Sequence, residues 1–150
     1  MRIERAGPAD AGEILTVQRA GYVTEAQLYG DPFLPPLVDS LDRVLEVIKS
    51  ATVLKAVEDD RIIGAVRGQV SGATCVVGRL VVAPDSQGRG VGTTLLTSLH
   101  EAVPGAAVFD LFTGHLSGSL RLYRRLGYRE TRRERVHDHL TLIHLRKERA

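Results

Sequence analysis

The chain has one cysteine, Cys75, and no tryptophan. A lone cysteine closes no intrachain disulfide and lacks the partners of a cysteine-based zinc site, so the composition suits a reducing compartment. Long apolar runs are missing too. The longest stretches without Asp, Glu, Lys or Arg run from Gly68 to Gly78 and from Gly90 to His100, eleven residues each, whereas a membrane-spanning helix needs ~20 apolar residues. No membrane partner is therefore expected. Charges recur every few residues from Arg2 through Asp10, which leaves no apolar core for a secretory signal and makes a cytoplasmic location the expectation. Excess charge of one sign is equally scarce. Twenty Lys and Arg stand against eighteen Asp and Glu, a net +2, which gives no reason to expect nucleic acid as a partner. The spread is uneven: half of the basic residues lie after Gly114, where acidic residues are few.

What remains is 150 residues, 43% hydrophobic and 25% charged, the size and composition of one globular domain. No repeat divides residues 1–150, which read as a single unit. Arg2 to Arg5 reads as a short strand, and Asp10 as the N-cap of a helix with Ile14, Val17 and Tyr22 on one face. The prolines at 32, 35 and 36 predict a stiff loop over Tyr29 to Pro36, after which Ser40 caps a helix carrying Leu41, Val44, Leu45 and Ile48. Three β-rich runs follow, Thr52 to Val57, Ile62 to Val70 and Thr74 to Val82, separated by turns at Asp59-Asp60 and Ser71-Gly72. This spacing predicts an antiparallel meander. Pro84 ends it, and a helix with Val91, Leu95, Leu99 and Ala102 on one face leads to a strand over Ala106 to Thr113, which requires a parallel crossover. A helix over Ser117 to Leu126 stops at Gly127, and strands near Tyr128 to Arg133 and His139 to Leu145 close the chain. The expected class is α+β: a mixed, mostly antiparallel sheet flanked by about four helices.

The segment Leu80-Val81-Val82-Ala83-Pro84-Asp85-Ser86-Gln87-Gly88-Arg89-Gly90-Val91-Gly92-Thr93 carries the chemistry. A strand runs into a glycine-rich turn and then into a helix N-terminus, where free amides and the helix dipole favour an anion. Glycines keep side chains away from an approaching phosphate. The loop lacks the GxxxxGK[ST] pattern of an ATP or GTP cradle, and the third glycine of a dinucleotide GxGxxG falls on Thr93. Gln87-Gly88-Arg89-Gly90-Val91-Gly92 resembles the (Gln/Arg)-x-x-Gly-x-(Gly/Ala) signature of the GNAT acyltransferases. Leu122-Tyr123-Arg124-Arg125-Leu126-Gly127-Tyr128 is similar to the tyrosine motif near the C-terminus of that family. The places where the family often carries Asn or Ala before its tyrosine hold Leu116 and Ser119 here, so a side-chain contact to a pantetheine arm would fall to the Ser119 hydroxyl.

The resemblance implies an N-acetyltransferase with acetyl-CoA as co-substrate and no metal. It implies pyrophosphate on the amides of Gln87, Gly88, Arg89, Gly90, Val91, Gly92 and Thr93, and pantetheine along Leu80, Val81 and Val82. It further implies an amide near Val82 facing the thioester oxygen. Attack by an amine also needs a proton for the departing thiolate, and Tyr123 is the expected general acid, since a phenol of pKa ~10 stays protonated at neutral pH. For the base, Glu25, Tyr29, Asp110, His115 and water all stay open. The acceptor is a small-molecule or peptide amine, expected to touch the Tyr22 to Leu37 segment and the end of the Ala106 to Thr113 strand. A homodimer is compatible with this reading. The rival readings are a catalytically silent CoA-binding regulatory module and a nucleotide-binding domain with a similar loop. His137 and His139 are expected on one strand face without a third metal ligand. Arg121, Arg124, Arg125, Arg129, Arg132, Arg133 and Arg135 read as a solvated basic face.

Overall fold

The computed structural model describes residues 1–149. Seven strands form one sheet: β1 (Arg2–Arg5), β2 (Thr52–Glu58), β3 (Arg61–Ser71), β4 (Thr74–Val82), β5 (Val108–Gly114), β6 (Arg129–His137) and β7 (Leu140–Glu148). Their spatial order is β1-β2-β3-β4-β5-β7-β6, and among the described residues β4 and β5 are the one parallel pair. The helices are α1 (Ala11–Tyr29), α2 (Pro35–Val38), α3 (Leu41–Ser50), α4 (Val91–Ala102) and α5 (Leu120–Arg125). The α+β class and the meander are as the sequence predicts.

Each face of the sheet is covered by helices whose apolar stripes the sequence spells out. Leu95, Leu96 and Leu99 of α4 and Tyr123 of α5 pack on Ile63, Val66, Cys75, Phe109, Ile143 and Leu145. On the opposite face, Ile14 and Val17 of α1 and Val44, Val47 and Ile48 of α3 pack on Val53, Ile62, Ala65 and Val81. The Ser40 hydroxyl accepts the Arg43 amide at 3.0 Å and caps α3 as expected. Gly127, at φ +95°, ends α5 in the left-handed conformation that glycine adopts without cost.

Several local expectations are corrected. The proline-rich segment holds the one-turn helix α2, because Pro35 and Pro36 occupy its first positions, where a missing N–H costs nothing. Asp10 precedes α1, but its side chain makes no capping bond. It accepts the Gly7 amide at 2.8 Å and the Lys55 ammonium at 2.9 Å instead. The last two strands run to His137 and Glu148. His137 ends β6 while His139 lies in the turn, so the two do not share a strand face; their rings stack at 5.2 Å. Among the described residues, no helix is long and apolar enough to cross a membrane.

Candidate active site

The parallel pairing between β4 and β5 is short. It links Thr74 with Val108, Cys75 with Phe109 and Val76 with Asp110, and then stops. From Val77 onward β4 has lost its neighbour on that side. The Ala83 amide bonds the Ile63 carbonyl at 2.8 Å, so alternation along an antiparallel ladder turns Val81 toward β3 and turns the backbone groups of Leu80 and Val82 into the opening. Two of the exposed carbonyls are engaged. Leu80 accepts from the Tyr22 hydroxyl at 3.3 Å, and Val82 from Gln87 Nε2 at 3.2 Å.

The open strand leads through Pro84–Ser86 into the glycine loop. Gly88 and Gly90 sit at φ +78° and +82°, and a Cβ at either would meet nothing within 4 Å. Their role is backbone conformation and an uncovered loop surface. The first backbone bond of α4 runs from the Thr94 amide to the Gly90 carbonyl. Among the described residues, the amides of Gly88 through Thr93 donate to no backbone or side-chain acceptor. A row of free amides at a helix N-terminus, without covering side chains, fits a pyrophosphate. Gly92 differs: a Cβ there would lie 3.3 Å from Leu122 Cδ2 and beside Val82 and Leu80, so it lets α4 approach α5. The Arg89 guanidinium pairs with Glu58 at 2.9 Å, and its amide is one of the unpaired loop amides.

The opening is walled by α1. Tyr22, Glu25 and Tyr29 fall at i, i+3 and i+7 on one helical face. Gly21 permits the close approach, since a Cβ there would collide with the Val81 side chain. At the other end the Tyr29 hydroxyl accepts the Leu116 amide at 2.8 Å, and the absent side chain of Gly114 makes room for it. Between them, burial raises the pKa of the Glu25 carboxyl, and the Ser117 side chain partly offsets that rise. Tyr123, 6% exposed, is buried opposite. Burial first, and then the neighbouring Tyr22, raise its phenol pKa well above the ordinary value, while the Ser119 side chain moderates the rise. Burial also pushes the Tyr22 phenol up to about 12.

Glu25 is near enough for its charge to act on both Tyr29 and Tyr123, Ser119 and Tyr22 also act on Tyr123, and Gly92 of the loop adjoins Val82 and Leu80. Asp110 is separate: it lies on the sheet face shared with Val76, paired with Arg146 at 2.7 and 2.9 Å. His115 holds the Thr141 amide through Nδ1 at 3.1 Å and stands 5.6 Å from the Tyr29 ring. The arginines of β6 lie on an edge strand exposed throughout, several paired with Glu130, Glu134 and Asp138. Tyr22, expected on the apolar face of its helix and at the start of the acceptor-side segment, lies beside Tyr123 and bonds the Leu80 carbonyl.

A profile for the acetyltransferase (GNAT) domain matches residues 25–149. Among solved structures, PaiA N-acetyltransferase from Thermoplasma acidophilum in complex with coenzyme A is similar, at 17% identity, 99% and 100% coverage of the two chains and a TM-score of 0.78. YncA of Salmonella typhimurium, a putative acetyltransferase solved with acetyl-CoA, is 20% identical over 99% of this chain and 93% of that one, TM-score 0.78. A ribosomal-protein-alanine N-acetyltransferase from Brucella melitensis is 21% identical over 99% and 100% of the chains, TM-score 0.79. No curated protein sequence matches.

Proposed function

The chain belongs to the GNAT family of acetyltransferases, and from that membership we propose that it moves the acetyl group of acetyl-CoA to a primary amine by direct attack within a ternary complex. The observation that carries this reading is the backbone of β4, freed from β5 after Val76 and continuous with a loop of unpaired amides. Acetyl-CoA supplies an activated thioester; the chain's own groups do the rest. Amides from Gln87 to Thr93 hold the pyrophosphate, with the positive end of α4 behind them. Leu80 and Val82 hold the pantetheine arm, and the outward Val82 N–H stabilises negative charge developing on the acyl oxygen.

Glu25 is the general base. Desolvation raises its pKa toward the range in which a carboxylate accepts a proton from an ammonium or from an intervening water. Tyr123 is the general acid that returns a proton to the departing thiolate. Burial raises its pKa, so the phenol carries its proton at neutral pH and is a weaker acid than an ordinary phenol. Proteins of the same fold include ribosomal-protein-alanine N-acetyltransferases, which puts peptide amino termini beside small amines in the acceptor panel. The test is thiol release from acetyl-CoA across that panel. Turnover with at least one amine supports the reading, and acetyl-CoA binding without turnover on any amine supports a silent binding module.

A further inference from the structure

We propose that Asp39 is a positioning residue for the acyl-donor strand, acting through Arg79; the proposal rests on the acyl-transfer reading above. Asp39 follows α2, precedes the Ser40 cap of α3, and faces both α1 and β4. Its Oδ2 accepts from Arg79 Nε at 3.1 Å and from Gln18 Nε2 at 2.9 Å, with an Arg67 nitrogen 4.0 Å away. Gln18, 2% exposed, also donates to the Pro36 carbonyl at 2.8 Å. The Asp39 carbonyl accepts from Arg19 at 3.0 Å. Both partners of the central pair are sheltered, with side chains 13% and 21% exposed for Asp39 and Arg79. Burial opposes the carboxylate's charge, but bonds from Arg79 and Gln18 and the charges of Arg79 and Arg67 outweigh it and hold its pKa below the usual value. The neighbouring Arg67 is driven down to about 10, by burial and by the charge of Arg79.

Arg79 stands at φ +50°, in the left-handed region that a long L side chain rarely adopts. It belongs to a β-bulge: Gly78 faces Arg67 and Val81 faces Ala65, so Arg79 and Leu80 together oppose Val66. A bulge resets the alternation of everything after it. Without the extra residue, Leu80 and Val82 would exchange orientation with Val81 relative to β3, and the groups that face the opening would turn into the ladder. Strained backbone persists where its surroundings over-determine it, and Asp39 is the carboxylate that grips this residue. Through Gln18 and Pro36 the same carboxylate also ties down the α2 segment at the acceptor side. One half-buried acid therefore sets the donor strand and the acceptor-side segment relative to each other.

The test compares Asp39→Asn, Arg79→Ala, Arg79→Gly and the double variant Asp39→Asn/Arg79→Gly. It reads kcat and KM with an active amine, Kd for acetyl-CoA, and amide hydrogen exchange over 78–82 in the ligand-free protein. Small misplacements of reacting groups cost up to ~10²-fold, so Asp39→Asn and Arg79→Ala should lower kcat by about tenfold to ~10²-fold. Acetyl-CoA Kd, to which the loop contributes as well as Leu80 and Val82, should rise by less than kcat falls. Exchange should quicken at Val81, whose amide faces β3, while α4 stays protected. Glycine adopts a positive φ without strain, so Arg79→Gly and the double variant should recover most of the kcat. Unchanged kcat and exchange in Asp39→Asn, Arg79→Gly as impaired as Arg79→Ala, or a uniform loss of protection would overturn the proposal. Should Asp39→Asn fail to fold, the Arg79 pair decides it. A parent inactive on every amine would sink the acyl-transfer reading instead, and exchange in Arg79→Ala against Arg79→Gly would still decide the positioning role.

Discussion

Gly90→Ala separates what the glycine loop does for folding from what it does for ligand binding. The added methyl meets no atom within 4 Å, so its effect arises from the φ of +82° that alanine must adopt. A left-handed L residue costs ~1–2 kcal/mol, which for a domain of this size lowers Tm by roughly 2–8 °C if the conformation is retained. If the loop relaxes instead, the amides of Val91 to Thr93 no longer converge. Hydrogen bonds to a charged group contribute about 1.5–3 kcal/mol each, so losing one raises the acetyl-CoA Kd roughly 10- to 150-fold. Gly92→Ala is the internal comparison. Its Cβ points at Leu122 rather than at the loop surface, so it should shift Tm slightly and leave Kd near the parent's. Titration calorimetry and thermal unfolding on the three proteins measure both quantities. Parental affinity in Gly90→Ala, or a larger affinity loss in Gly92→Ala than in Gly90→Ala, would show that the pyrophosphate does not lie on these amides.

Tyr123→Phe should keep the fold and the acetyl-CoA affinity while kcat falls by ~10²- to 10⁴-fold, the usual contribution of general acid catalysis; an unchanged rate of a rate-limiting chemical step would make Tyr123 structural. Glu25→Gln should abolish most turnover. In the parent, activity should rise with pH through a group above the ordinary carboxylate range, because the base works deprotonated and burial raises its pKa; an acid limb at an unshifted carboxylate value would contradict this. His100 is 8% exposed, with Nε2 2.7 Å from the Tyr128 hydroxyl, and burial, then the charges of Lys147 and Arg149, lower its pKa to about 4. The unfolded chain therefore binds this proton first. The stability linked to it is intact above the unfolded value of ~6.5 and is lost as pH falls toward 4, by up to about 3 kcal/mol. Urea midpoints of the parent and His100→Gln between those limits should converge at the acid end; a constant difference would refute the linkage.

The strands, the Ser40 cap, the Gly127 stop and the glycine loop were legible because local chemistry decides each of them: β-branched runs, a hydroxyl at an N-cap, a backbone only glycine tolerates. Periodicity also placed most of the stripes of α3 and α4, but Leu41 and Ala102 are exposed and Val47 joins the core in α3. What the sequence hid depends on tertiary pairing. The β4–β5 contact ends after Val76; no residue there announces that by its type, and only the family resemblance, with pantetheine along Leu80 to Val82, pointed to it. Arg79 looks like any polar residue of a half-buried strand, and only the bulge and Asp39 reveal its conformation. Asp10 satisfied the rule for a cap, yet a lysine from β2, forty-five residues away, takes its carboxylate. Asp110 and His115 looked equivalent to Glu25 as bases. The fold sets Asp110 on another face with Arg146 and gives Glu25 the desolvated position.

Titration of the unmodified protein with acetyl-CoA, followed by thiol release in the presence of amines, bears most directly on the central claim. Acetyl-CoA should bind saturably, more weakly in Gly90→Ala, and free thiol should be released only with both an amine and Tyr123 present. Binding of ATP or NADH with no response to acetyl-CoA would contradict it.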